Sequence, residues 1–302
     1  MANRTEKLLM EKRTLIMGIL NVTPDSFSDG GAFVEVSEAV KRARQLVREG
    51  ADWIDIGGES TRPDATPVSE EEEMRRVIPV IREVRRALPE IPISIDTFKA
   101  NVAAAAIEAG ADSINDVWGL KAGFEEELLQ NWSQAAANGE PLNLPISPMA
   151  AVAAKLKCDV FLMHNRPTRK YADFWTEIIA DLRVSLALAE AARIEKNRIW
   201  LDPGFGFAKG PAHNLEVLKH LDRICALGYP VLLGTSRKST LGLVLGRPAD
   251  QRREGTAATT VWGIAKGCQM VRVHDVAEIV PYVRMADAIG QGAAFDEKAQ
   301  RK

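Results

Sequence analysis

The sequence predicts an α/β protein: a single-domain (β/α)8 TIM barrel with an enlarged segment between its fourth and fifth strands. Eight short apolar runs recur along the 302 residues, each giving way to a polar loop and then to a helical pattern. Nearly every run ends in a side chain that ionises or hydrogen-bonds, which is where such barrels carry their active sites. No G-x-G-x-x-G follows an early strand, which argues against a doubly wound open sheet.

The elements follow in order. Thr14–Leu20 is an apolar run that breaks at Asn21 into a loop carrying Pro24, two carboxylates and several hydroxyls. Loops on a rigid scaffold are where chemistry is usually placed. Val36, Ala39, Val40, Ala43, Leu46 and Val47 recur at helical spacing, so a helix is expected over Val36–Glu49, with Ser37 as its N-cap and Gly50 past its end. Trp53–Gly57 is the second strand. Ser69 caps the next helix, and Glu70–Glu73 reads as its solvated, acidic first turn; Leu88-Pro89 closes it. Ile93–Asp96 and Ser113–Val117 are strands three and four, joined by a helix over Ala100–Ala109. Leu120–Lys157 is longer than one helix and its loops require, so it reads as surface decoration with a short second helix from Met149 to Leu156. Val160–His164, Ile199–Asp202, Val231–Thr235 and Met270–His274 complete the strands, with a helix over Tyr171–Glu195. Trp53, Trp118, Trp200 and Trp262 read as core residues. Residues 1–13 form an N-terminal extension, 14–290 the barrel (insertion 120–157) and 291–302 a tail.

Composition narrows the function. Hydrophobic residues make up 46% and charged residues 26%, as in soluble globular proteins. The net charge of −2 gives no basic excess for nucleic acid or an anionic membrane. Cys158, Cys225 and Cys268 lie far apart with no zinc spacing and no disulfide framework, which suits a reducing cytoplasm. Met1–Arg13 is charged, and the apolar run after it is too short to span a bilayer.

The strand ends present Asn21, Asp55, Glu59, Asp96, Asn115, Asp116, His164, Arg166, Asp202, Ser236, Arg237, Lys238, Arg272, His274 and Asp275. Alone, Asp202-Pro203-Gly204-Phe205-Gly206-Phe207 is only a strand-ending turn, and Gly234–Ser239 only a basic loop. Eight strands doing the same thing is hard to explain by stability. Asp96, Asn115 and Asp202 offer carboxylates and an amide, which suit a flat heterocycle with an N–H and amino edge. Lys238, Arg272 and His274, from the seventh and eighth strands, suit an anionic group. Asn21 is a neutral oxygen ligand for Mg²⁺ held mainly by phosphate and water. His164 reads as a satisfied barrel-end histidine, since no cluster has zinc-ligand spacing. There is no G-x-S-x-G elbow and no P-loop.

These motifs resemble the dihydropteroate synthase family in order and along nearly the whole chain. Ile19–Gly31 is similar to its first signature and Gly50–Pro63 to its second. Ser94-Ile95-Asp96-Thr97, Ser113–Val117, Leu162-Met163-His164, Leu201–Phe207, Gly234–Ser239 and Val271–Val276 follow. The resemblance implies condensation of a dihydropterin pyrophosphate with p-aminobenzoate, with release of pyrophosphate, in a cytoplasmic homodimer with Mg²⁺ as cofactor. It implies that Asp96, Asn115, Asp202 and Lys238 bind the pterin, and that Asp202, Lys238, Asp96 and Arg272 carry catalysis. Asn21, Thr61, Arg62, Arg272 and His274 would engage pyrophosphate, with the metal at Asn21. Phe27, Thr61, Arg62, Pro63, Lys238 and Ser239 would face p-aminobenzoate, which sulfonamides mimic. The chain departs from the family's pattern at Asn165-Arg166-Pro167, at Trp118 and in the long Leu120–Lys157 segment. A methyltransferase using methyltetrahydrofolate and a corrinoid partner, and a non-catalytic pterin-binding paralogue, are the competing readings; neither needs both loop signatures together with the anion side.

Overall fold

The computed structural model describes Glu11 and residues 13–22, 31–59 and 67–292. Eight parallel strands run β1 Leu15–Asn21, β2 Trp53–Gly57, β3 Ile93–Asp96, β4 Ser113–Asp116, β5 Asp159–Met163, β6 Ile199–Asp202, β7 Leu232–Leu233 and β8 Met270–Val273. Their order is β6-β5-β4-β3-β2-β1-β8-β7. The Leu201–Val231 bridge joins β6 to β7 and nearly closes the barrel. β7 is shorter than expected because the chain turns after Gly234: Lys238 N donates to Thr235 O at 3.2 Å and Arg237 has a φ of +59°.

Side chains alternate across each strand, so the barrel interior can be read every second residue. Leu15, Met17, Trp53, Phe161, Trp200, Leu232 and Met270 form a buried apolar layer. Phe161 packs edge-on to Trp53 at 5.6 Å and against Trp200 at 5.4 Å. Two residues further along three of these strands stand Asp55, Asp202 and Arg272. The interior therefore changes from apolar to charged within one repeat, at the strands' C-terminal ends. The opposite strand faces, including Ile54, Ile95, Ile114, Leu162 and Val271, are buried in the core cluster shared with the helices.

The helix Glu70–Ala87 starts at Ser69, whose hydroxyl accepts from Glu72 N at 3.2 Å. Its acidic start is not wholly solvated, however: Glu73 is fully buried, held by Lys99. The first helix spans Gly31–Glu49, so exposed Ser37 lies inside it and is no cap. Apolar spacing marks a helix's buried face, not its first residue. The helix expected over Tyr171–Glu195 runs Phe174–Ala191, begun by Asp173 accepting from Thr176 N at 2.7 Å. Trp53 and Trp200 are buried as expected, whereas Trp262 is 49% exposed, with its indole N–H on Leu218 O.

The enlarged segment forms two helices, Glu126–Ala137 and Pro148–Leu156. The first packs on Phe174–Ala191 and the second on Ala100–Ala109. Ser133, Ala136, Met149, Ala150 and Ala153 are buried there. The segment thus fills a sector of the helical ring rather than decorating the surface. Among the described residues no helix is long and apolar enough to cross a membrane.

Candidate active site

Asp55 is fully buried in the middle of β2 and is saturated with donors. Arg272 Nε reaches its Oδ2 at 2.6 Å and Asn115 Nδ2 the same oxygen at 3.1 Å; Ser94 Oγ reaches Oδ1 at 2.5 Å. The second face of the Arg272 fork meets Asp96 Oδ2 at 2.7 Å. The guanidinium thus joins two acids in the planar, two-toothed way that lysine cannot. Burial would lower its pKa, but Asp55 and Asp96 hold it above the ordinary arginine value.

The other oxygen of Asp96 is different. Oδ1 is buried and has no hydrogen-bond partner among the described residues. Burial raises the pKa of this carboxyl, with Arg272 opposing the shift. An unmet buried acceptor costs about 1–3 kcal/mol, so the oxygen is poised for a donor that a ligand brings.

Asp202 ends β6 and is also buried with a raised pKa, for the same reason, with Lys238 opposing. Its Oδ1 accepts from Gly204 N at 2.7 Å. Lys238 Nζ donates to Phe205 O and lies 4.5 Å from the centre of the Phe207 ring. Burial pushes this ammonium down to about 8, against the pull of Asp202. Glycine is required along this turn. Gly204 has a φ of +64° and a Cβ there would stand 1.9 Å from His164 O. A Cβ on Gly234 would lie 3.8 Å from Arg272 Cβ and 4.0 Å from Asp202 Oδ2, so bare backbone borders both groups.

His274 follows β8. Its Nδ1 pairs with Ser236 Oγ at 2.9 Å, and its backbone N donates to the same hydroxyl at 3.2 Å. Asn21 is exposed at the end of β1 and in register with Gly57, which is in register with Asp96, itself in register with Asn115. One row of strand ends therefore carries the neutral oxygen ligand, an acid and an amide. Ser239 is exposed beside Lys238 as the first residue of a short helix. Phe27, Thr61, Arg62 and Pro63 lie outside the described residues.

The structure thus brings Asp96, Asn115, Asp202, Lys238 and Arg272 to one end of the barrel. It weaves Arg272 between the acids instead of setting it on a separate cationic side. The sequence put Asp55 among the polar strand-end residues without a specific role and left out Ser94, because a hydroxyl two residues before a strand end carries no turn signal; period-2 alternation inward from Trp53 was the available clue. It also missed Lys209, whose burial depends on how the Gly-rich turn wraps.

The family model described as "Pterin binding enzyme" matches residues 17–274. Dihydropteroate synthase of Bacillus subtilis (strain 168) is 48% identical over 282 residues, covering 93% of this chain and 90% of the relative. That of Clostridium beijerinckii is 48% identical over 279 residues, covering 92% and 95%. The chain belongs to the dihydropteroate synthase family. Among solved structures, a dihydropteroate synthase from Clostridium difficile, in the presence of pteroic acid, superposes with a TM-score of 0.82 at 47% identity, covering 92% of this chain and 97% of that one. The Xanthomonas albilineans enzyme in complex with 7,8-dihydropteroate gives 0.76 at 40% identity, covering 92% and 94%. The (β/α)8 reading of the sequence and its family resemblance are both upheld.

Proposed function

We infer that this member of the dihydropteroate synthase family condenses 6-hydroxymethyl-7,8-dihydropterin pyrophosphate with p-aminobenzoate, giving 7,8-dihydropteroate and pyrophosphate in folate biosynthesis. The observation that carries the reading is the buried Asp96 Oδ1 without a partner, beside buried Asp202 and the Arg272 fork. A pterin's N–H and amino edge supplies the donor that Asp96 Oδ1 lacks and a further donor for Asp202.

The arrangement supports a dissociative displacement. The bond between the pterin methylene and the pyrophosphate oxygen breaks, and its electron pair leaves with the pyrophosphate. The cation left on the methylene spreads over the ring, where Asp96 and Asp202 stabilise it from fixed positions. The neutral amine of p-aminobenzoate attacks the methylene, and the new ammonium sheds a proton. Arg272, paired with Asp55 and Asp96, and His274, paired with Ser236, supply positive charge and hydrogen-bond donors for the departing anion. Thr61 and Arg62 complete the pyrophosphate side; Phe27, Thr61, Arg62, Pro63, Lys238 and Ser239 receive p-aminobenzoate. Sulfonamides, bound by the related Yersinia pestis enzyme, compete for that place.

Asn21 fits Mg²⁺ of the kind that keeps water and substrate oxygens, since it offers one neutral oxygen at the exposed rim. When bound, the ion supplies charge neutralisation of the pyrophosphate. A second copy of the chain is the partner that the late helices suit: Trp262, Tyr282, Met285 and Ile289 leave large apolar side chains exposed there. The three free cysteines suit a reducing cytoplasm.

Calorimetry separates this function from its competitors. Dihydropterin pyrophosphate should bind at least about tenfold more tightly than 6-hydroxymethyl-7,8-dihydropterin, and the gap should widen with Mg²⁺. A corrinoid-dependent methyltransferase or a simple pterin-binding protein has no use for the pyrophosphate, and equal affinities would favour those readings.

A further inference from the structure

The Gly-rich turn after β6 shapes two groups assigned to the pterin, yet its own backbone is strained. Gly204, Gly206 and Ala208 all have positive φ, of +64°, +87° and +47°. For Ala208 that conformation carries a steric cost. Something outside the turn must hold it.

Lys209 does so. It is 3% exposed, and its ammonium has three acceptors for its three N–H groups: His164 Nδ1 at 2.7 Å, Gly204 O at 3.1 Å and Phe207 O at 3.1 Å. Asp181 Oδ2, 3.0 Å from His164 Nε2, is an ionised acceptor, so the ring proton sits on Nε2 and Nδ1 is left to accept from Lys209, whose own pKa burial pushes well down. Burial holds this imidazole neutral, with its pKa pushed down to about 3. Asp181 belongs to the helix Phe174–Ala191 and also accepts from Arg166 Nε at 3.0 Å. Tyr171 adds a further tie, donating to Ala208 O at 2.9 Å. The turn is therefore fastened to a scaffold helix through a buried relay that runs from Lys209 through His164 to Asp181.

The groups fixed by the turn are the pterin ligands. Gly204 N orients Asp202, and Phe205 O accepts from Lys238 Nζ. A Cβ on Gly206 would lie 2.8 Å from Lys238 Cδ. We propose that Lys209, backed by His164 and Asp181, is a positioning residue for the pterin half of the site: it holds the 203–208 turn so that Asp202 and Lys238 converge on the heterocycle. It has no N–H left for a ligand and is not a catalytic residue.

The inference rests on the pterin reading above, and the test reads binding, which needs no turnover. Affinities of wild type and Lys209→Met are measured by calorimetry for two probes, dihydropterin pyrophosphate and inorganic pyrophosphate. Lys209→Met is expected to weaken the first at least about twentyfold and the second by less than about twofold, because displaced ligands lose affinity while the β8 side is untouched. Lys209→Gln, which keeps two N–H donors, should recover part of the loss. If the Met variant does not fold, the Gln variant alone decides, with a selective loss of about fivefold expected. A folded variant whose affinities for both probes are unchanged, or fall in parallel, overturns the proposal. A wild type that binds neither probe overturns it together with the pterin reading.

Discussion

Asp202 shows how single residues acquire their roles here. A carboxylate at a strand end is common, but this one is buried, oriented by Gly204 N and close to the half-buried Lys238. Its position costs the apo protein, since the charged form is disfavoured there, and the positive charge that develops in the proposed displacement offsets that cost. Asp202→Ala is therefore expected to fold normally while turnover falls at least roughly a hundredfold. Circular dichroism with steady-state kinetics checks this, and near-normal rates in a folded variant would refute the assignment. Asp96, Asn115, Asp202, Lys238 and Arg272 were legible in the sequence because strand ends are marked by the turns that follow them. Asp55 was counted with them, but its pairing with Arg272 was hidden because the two lie 217 residues apart on different strands. Lys209 was invisible because a lysine in a Gly-rich turn looks solvated until three acceptors are seen around it.

Among the elements, the connection between β2 and its following helix shows what one half-buried cation does. Lys99 Nζ donates to Glu59 Oε2 at 2.5 Å, to Glu73 Oε2 at 2.6 Å and to Val68 O at 2.7 Å. Glu59 and Val68 flank the 60–66 segment, so one side chain clamps both of its stems to the helix Glu70–Ala87. Removing the cation leaves two carboxylates together, one of them fully buried. Lys99→Met should therefore destabilise the protein by about 3–5 kcal/mol, well beyond a surface substitution. Urea unfolding measures it, and a loss below about 1 kcal/mol would show that the clamp contributes little. The sequence marked this helix's start and end through Ser69 and Leu88-Pro89, and the bounds of β2, β3 and β6 through their apolar runs. It did not show that the fourth acid of Glu70–Glu73 turns inward, because an acidic first turn is equally explained by the helix dipole.

For the whole molecule, the late helices add an exposed apolar face to the polar end of the barrel. Tyr282, Met285 and Ile289 are 48%, 62% and 67% exposed on one helix. Large apolar side chains gathered on one face suit burial against a second copy. Sedimentation is expected to show a dimer that Met285→Asp shifts toward monomer; a wild type that is monomeric at micromolar concentration would contradict that assembly. The enlarged segment between β4 and β5 was visible as excess length, but its place in the helical ring depends on packing between helices distant in sequence.

Product formation tests the condensation itself. Purified protein is incubated with 6-hydroxymethyl-7,8-dihydropterin pyrophosphate and p-aminobenzoate, with and without Mg²⁺, and both products are quantified. The expected result is 7,8-dihydropteroate and pyrophosphate in equal amounts, dependent on Mg²⁺. No dihydropteroate from a folded protein that binds the dihydropterin pyrophosphate would contradict it.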